Sequence, residues 1–111
     1  AASELPGEVL AWDGPAWRSR ALSADLVVNA TPLGRQGPSP LAAADLPTRG
    51  AVLDLVYRRG GTDLVREARE RGIPAQDGWA VLAAQGAASF EAWTGLRAPL
   101  EVMLAALREA E

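Results

Sequence analysis

The sequence predicts a small α/β domain built on a parallel sheet. Short apolar runs alternate with amphipathic segments along the 111 residues, an order typical of strands joined by right-handed helical crossovers. Two runs, 25–31 (DLVVNAT) and 51–57 (AVLDLVY), are apolar without strict alternation, which indicates strands covered on both faces. The single Asn and the single Tyr of the chain stand at the ends of these two runs.

The amino-terminal part is predicted to contain only short elements. Residues 1–5 look like the tail of a helix, and 8–12 (EVLAW) is a strand candidate that ends at an Asp-Gly-Pro turn signal. Residues 16–23 carry apolar positions at helical spacing for one or two turns. The connection 32–47 is rich in Pro and Gly, and loops of this length are often functional.

Helices dominate the second half of the chain. Thr62 is placed to cap a helix that continues to Arg71, because its hydroxyl can accept from a free amide of the first turn. A short strand at 73–76 follows and leads into the longest helix. Residues 99–111 form a last helix, whose first proline is tolerated at that position.

The longest helix is predicted to lie between Asp77 as N-cap and Gly95 as its left-handed stop. Gly78 indicates a bare helix N-terminus whose free N–H groups face a ligand. Gln85 is a bulky amide among small apolar residues, which suggests the wall of a ligand site. One face carries a stripe that we expect in the core: Trp79, Leu82, Gly86, Phe90 and Trp93.

Ligands of open parallel sheets bind beyond the carboxyl ends of the strands. Those ends carry Asn29, Tyr57 and Gly78, so the topology predicts a cofactor crevice there. Each residue also has a purely structural interpretation. Asn29 fits a turn residue, Tyr57 a half-buried amphipathic residue, and Gln85 a partner for a backbone carbonyl. Asp54 fits a structural hydrogen-bonding group, and with a partner it would also fit acid–base work. The arginines fit a solvated surface.

Composition excludes several kinds of chemistry. The sequence has no Cys, His or Lys, so disulfides, thiolate or imidazole metal sites and lysine bases are excluded for this polypeptide. The net charge of −3 with no basic run makes nucleic acid an unexpected partner. We expect no metal site and no membrane segment, and a cytoplasmic setting. No GxGxxG or GxxxxGK[ST] loop occurs.

Three segments resemble the shikimate dehydrogenase family. Residues 29–34 (NATPLG) are similar to its NATPLG segment, and 54–65 (DLVY, then TDLV) to its D-x-V-Y…T-x-L-L stretch. Residues 77–95 resemble its DGxxML…QG…SFExWTG ending. The resemblance extends from Asp25 to about Met103. Val81 stands where the family often has Met, and Arg59 where Pro is common.

The resemblance implies an incomplete Rossmann-like cofactor domain, without its first βαβ unit and without the amino-terminal substrate domain. Residues 1–98 would be the carboxyl-terminal part of the NADP-binding domain, and 99–111 a helix packing back towards the substrate domain. It implies reversible reduction of 3-dehydroshikimate to shikimate with NADPH, in aromatic amino-acid biosynthesis. The family's catalytic Lys and Asp lie in the amino-terminal domain, so this chain carries no catalytic residue and is expected to be inactive alone.

Site residues follow from the same resemblance. Tyr57 and Gln85 would bind substrate, Tyr57 towards the carboxylate and Gln85 towards the hydroxyls. Contacts with the cofactor would come from residues at the strand ends and on the longest helix: Asn29, Ala30, Thr31, Leu55, Gly78 and Val81. Two alternatives stay open, a quinate or shikimate-type dehydrogenase of the same family, and a stand-alone, non-catalytic binding or assembly module.

Overall fold

A three-stranded parallel sheet with flanking helices forms the fold in the computed structural model, which describes residues 6–110. The strands lie in chain order as β1 (Leu26–Asn29), β2 (Ala51–Asp54) and β3 (Ala75–Gln76). The helices are α1 (Ala16–Leu22), α2 (Asp63–Glu70), α3 (Gly78–Thr94) and α4 (Leu100–Ala110), with a 3-10 helix at Ala43–Asp45. None of the helices in this part of the chain has the length and apolar character to cross a membrane. The predicted parallel α/β fold is confirmed.

The core lies on one face of the sheet. Val27 and Val52 are neighbours in the register of β1 and β2. Val27 packs against the buried cluster, which consists of Ala21, Leu41, Leu46, Val52, Leu64 and Ala68. The opposite face is open, because Leu26 and Val28 remain 54% and 45% exposed. The apolar strand runs predict a sheet that is covered on both faces. Among the described residues, only one face of the sheet is covered.

The predicted helix boundaries are confirmed by their caps. The Thr62 hydroxyl accepts from the Val65 N–H at 3.3 Å at the start of α2. The Asp77 carboxylate accepts from the Trp79 N–H at 3.1 Å at the start of α3. Gly95 ends α3 with φ +69°, a left-handed conformation that glycine adopts without a Cβ penalty.

The predicted strand at residues 8–12 is wrong for this structure, in which this segment has no strand conformation. A strand needs a neighbouring edge to pair its backbone groups, and the sheet within the described residues contains only β1, β2 and β3. Trp12 instead stacks on Trp17, with ring centroids 4.7 Å apart. The predicted helix tail at residues 1–5 lies outside the described residues.

The aromatic stripe of α3 is also not the buried face that we expected, since Trp93 is 84% exposed. The buried side chains of α3 are Ala83 and Ala87. α4 packs beside this helix, and the Met103 methyl lies so close that a Cβ on Gly86 would be 3.1 Å from it. Small residues therefore lie at the α3–α4 contact, and of the stripe Trp93 faces outwards.

Candidate functional site

A cavity of about 240 Å³ lies beyond the carboxyl ends of β1 and β2. Asn29 and Asp54 are register partners at the ends of these strands, so the two following segments leave the sheet at the same edge. The lining residues come from both segments: Ala30, Thr31, Pro32, Arg35, Leu55, Val56 and Tyr57. No acidic side chain is among them, and the described residues contain no cluster of three or more His, Cys, Asp or Glu that could hold a metal.

Asn29 shapes the loop that forms one wall of the cavity. Its amide nitrogen donates to the Leu33 carbonyl and to Asp54 Oδ1, both at 3.0 Å. Its amide oxygen accepts from the Thr31 N–H at 3.1 Å and from the Thr31 hydroxyl at 2.6 Å. Both donors and both lone pairs of the amide are therefore engaged, as the turn interpretation of this residue requires.

Asp54 joins the segments after β1 and β2 from beneath the cavity. Its side chain is fully buried, and Oδ1 accepts from the Asn29 amide and from the Val56 N–H, each at 3.0 Å. The second oxygen, Oδ2, has no hydrogen-bond partner among the described residues. The structural interpretation of Asp54 is confirmed, because one carboxylate oxygen holds both walls of the cavity in register.

The N-terminus of α3 closes against the end of β2. The Gly78 N–H donates to the Val56 carbonyl at 3.1 Å. A Cβ on Gly78 would overlap the Leu55 carbonyl oxygen and lie 2.8 Å from the Leu55 carbonyl carbon. The prediction of free N–H groups is wrong for Gly78 and Trp79, whose amides are both bonded within the chain. Glycine is required here by the approach of two backbone segments.

Tyr57 stands at the rim of the cavity between an indole and a guanidinium. Its ring centroid is 4.8 Å from that of Trp79, at an interplanar angle of 46°, and the Trp79 indole donates to the Arg58 carbonyl at 3.3 Å. The Arg35 guanidinium carbon lies 6.0 Å from the Tyr57 ring centroid. The Tyr57 ring therefore has one aromatic and one cationic neighbour, as in aromatic pairs and cation–π interactions.

The structure brings together part of the predicted site. The residues that line the cavity include four of the predicted ones: Ala30, Thr31, Leu55 and Tyr57. Gly78 lies directly behind this group, against Leu55 and Val56. Val81 and Gln85 are on α3 and are not lining residues of this cavity. Gln85 is exposed and follows Gly78 by seven residues, which places it about 10 Å farther along the same helix face.

Two residues of the site were not found from the sequence. Helical spacing predicts Trp79 in a core stripe, but its ring packs against Tyr57. Arg35 is exposed, as the surface interpretation of the arginines predicts, and it also lines the cavity. The turn in which the Arg35 N–H donates to the Pro32 carbonyl at 3.3 Å, with Gly34 at φ +92°, directs this side chain. In the sequence, Gly34 is the one residue of 32–35 that indicates such a turn.

Comparisons with known proteins find one family of similar sequences. Residues 78–108 match the family model described as the shikimate 5'-dehydrogenase C-terminal domain. The chain is 53% identical over 79 residues to the shikimate dehydrogenase (NADP(+)) of one strain of Thermus thermophilus, covering 69% of this chain and 30% of that protein. The chain thus spans about a third of the length of the curated relatives that it matches.

Solved structures give the same result for the fold. The shikimate 5-dehydrogenase of a second strain of Thermus thermophilus, in complex with NADP(H) and shikimate, superposes with a TM-score of 0.78 at 44% identity, over 85% of this chain and 37% of that one. The quinate dehydrogenase of Corynebacterium glutamicum, in complex with NAD, superposes with a TM-score of 0.76 at 29% identity, over 83% of this chain and 33% of that one.

Parallel strands whose ends meet at one cavity place the chain in the Rossmann-like class of α/β domains. Within this class, the family model, the curated relatives and the superposed structures all point to one family. The chain belongs to the shikimate dehydrogenase family and corresponds to the carboxyl-terminal portion of its members.

Proposed function

We propose that this chain is the carboxyl-terminal part of an NADP-dependent shikimate dehydrogenase that reversibly reduces 3-dehydroshikimate to shikimate with NADPH. One observation carries the proposal: Tyr57 shares a cavity with Ala30, Thr31 and Leu55. These residues come from two strand ends, and the 44% identical Thermus thermophilus enzyme is in complex with both NADP(H) and shikimate.

The residues present fit the nicotinamide end of NADP. A cavity of about 240 Å³ suits one ring of the cofactor, and its lining includes the small Ala30 and the apolar Leu55. When bound, NADP(H) supplies the hydride. Asn29 shapes the loop from which Ala30 and Thr31 reach the cofactor. Further contacts come from residues on or facing α3: Leu55 and Gly78 through their backbones and Val81 through its apolar side chain.

Tyr57 and Gln85 are proposed to hold the substrate. The Tyr57 ring is fixed by Trp79, so its hydroxyl can donate to a substrate carboxylate at little further entropic cost. Gln85 is exposed on the face of α3 that begins with Gly78, where an amide can bond hydroxyl groups as both donor and acceptor. Neither residue is a general acid or base in this scheme. Both orient the substrate for hydride transfer.

The remaining part of the enzyme is proposed to cover the outward apolar surface of α3 and α4. Trp93, Leu96 and Val102, on or next to these helices, are 84%, 65% and 66% exposed, and we propose that they form the surface that the rest of the enzyme buries. The chain has no Lys, so a catalytic Lys would come from the amino-terminal domain, and we propose the same origin for the catalytic Asp. Residues 1–98 would then complete the NADP-binding domain, and 99–111 would pack towards the substrate domain.

Quinate is the alternative substrate within the family, and the 29% identical quinate dehydrogenase of Corynebacterium glutamicum supports it. Shikimate has the stronger support, because the shikimate enzyme is 44% identical. A stand-alone binding or assembly module is the alternative from another class. The outward apolar surface of α3 and α4 fits such a module only if another protein covers it.

Turnover by the full-length protein tests the proposal. We expect the protein encoded by the reading frame that contains this chain to oxidise shikimate with NADP+, and the 111-residue chain alone to be inactive, since it has neither Lys nor His. The absorbance of NADPH measures the turnover of the full-length protein and of the 111-residue chain. The same assays are repeated with quinate in place of shikimate and with NAD+ in place of NADP+. Faster turnover of quinate would assign the alternative substrate. Absence of turnover with either acid, or turnover by the purified chain alone, would contradict the proposal.

A further inference from the structure

The cavity contains one formal charge, the guanidinium of Arg35. Its other lining residues are apolar or carry only a hydroxyl, and no carboxylate within the described residues forms an ion pair with Arg35. The interaction that does hold this side chain is its contact with the Tyr57 ring, 6.0 Å from guanidinium carbon to ring centroid. A cation in this position lacks an anionic partner among the described residues.

The backbone around Arg35 is fixed. The Arg35 N–H donates to the Pro32 carbonyl at 3.3 Å, and Arg58 donates to the Gly34 carbonyl at 3.4 Å. Because the neighbouring cation Arg58 is bound to this loop, the two arginines have different tasks. Arg58 holds the turn in place, while the guanidinium of Arg35 stays available at the rim of the cavity.

We propose that Arg35 is an anion-binding residue of this cavity and that it selects an acidic substrate. The proposal rests on the proposed function, which places the substrate carboxylate at Tyr57. A guanidinium beside that phenol presents a forked pair of donors, which match the two oxygens of a carboxylate. The same fork fits a phosphate of the cofactor, so the shared chemistry is an anionic oxygen pair. Its position over Tyr57 favours the carboxylate.

The test compares charged and neutral ligands in the full-length protein. Calorimetry gives the dissociation constants of shikimate and of its methyl ester, without cofactor, for wild type and Arg35→Met. We expect the wild type to prefer the acid roughly tenfold, as a hydrogen bond to a charged group predicts, and Arg35→Met to bind acid and ester equally. Arg35→Lys keeps the charge and should keep part of the preference.

Arg49→Met is the matched control, because Arg49 is exposed and outside the residues lining the cavity. It should bind acid and ester as the wild type does. A roughly tenfold loss of NADP+ affinity in Arg35→Met, with shikimate unchanged, would identify the bound anion as a cofactor phosphate. Unchanged affinity for both ligands would overturn the proposal.

The outcomes also separate this inference from the proposed function. A wild type that oxidises shikimate, together with an Arg35→Met variant that retains every affinity, overturns the role of Arg35 alone. If the wild type does not turn over shikimate, but the Arg35→Met variant binds the anion more weakly than the wild type, the proposed function alone is overturned. A wild type that binds none of these anions overturns both.

Discussion

Gly78→Ala in the full-length protein is expected to destabilise the fold by about 1–3 kcal/mol, as overpacking does, and to weaken NADP+ binding more than about tenfold. The added Cβ would overlap the Leu55 carbonyl oxygen and lie 3.1 Å from the Val56 carbonyl carbon. Since these are backbone atoms, α3 must move away from β2 and lose the bond from the Gly78 N–H to Val56. Denaturant titration and fluorescence titration with NADP+ measure the two effects.

Two other glycines supply the controls. A Cβ on Gly50 would meet backbone at the opposite end of the sheet, 2.8 Å from the Asp25 carbonyl oxygen, so Gly50→Ala should destabilise similarly without a specific loss of NADP+ affinity. A Cβ on Gly86 would meet only the end of the flexible Met103 side chain, so Gly86→Ala should be nearly neutral. Wild-type stability and NADP+ affinity in Gly78→Ala would contradict this account.

Asp54→Ala is expected to lower the free energy of unfolding by about 2–4 kcal/mol, because a buried acceptor of two hydrogen bonds is removed. The Val56 N–H would lose its partner and the Asn29 amide one of its two acceptors. The walls of the cavity would then separate, so kcat/KM should fall beyond what the loss of folded protein explains. Denaturant titration with kinetics on the folded fraction checks this.

Coupling between Asp54 and Asn29 distinguishes a shared network from two separate contacts. The double variant Asn29→Ala with Asp54→Ala should lose less stability than the sum of the single losses, since both remove the same bond. Asp63→Ala is the control for loss of an acidic side chain. It removes an exposed ion pair with Arg66, and such pairs are worth about 1 kcal/mol or less. Additive losses at Asn29 and Asp54 would argue against the network.

Local signals predicted the elements that depend on neighbouring residues. Thr62 and Asp77 cap their helices because a cap needs only a hydroxyl or carboxylate and the first helical amides. The prediction of a strand at 8–12 is wrong, because a strand needs a neighbouring strand edge to pair with. A short apolar run does not show whether such an edge is present. Trp93 was placed in the core for the same reason: a helical stripe shows which residues share a face, and the partner of that face lies elsewhere.

The site was predictable as far as topology determines it. Parallel order alone brings Thr31 and Tyr57 to one edge, and the cavity lies there. The position of Arg35 depends on a turn at Gly34, which a sequence does not specify in three dimensions. The Gly78 N–H, expected to be free, donates to the Val56 carbonyl, because the glycine lets α3 approach the end of β2. The sequence does not show whether such a glycine serves a contact within the chain or a contact with a ligand.

The KM values of Tyr57→Phe in the full-length enzyme test the central claim most directly, that this edge of the sheet holds acid and cofactor side by side. Phenylalanine keeps the ring against Trp79 and Arg35 and removes only the hydroxyl. We expect KM for shikimate to rise roughly tenfold while KM for NADP+ stays within about twofold, as loss of one hydrogen bond to a charged group predicts. The same division is expected for Gln85→Ala. An equal rise in the two KM values would contradict the claim, and so would two unchanged KM values.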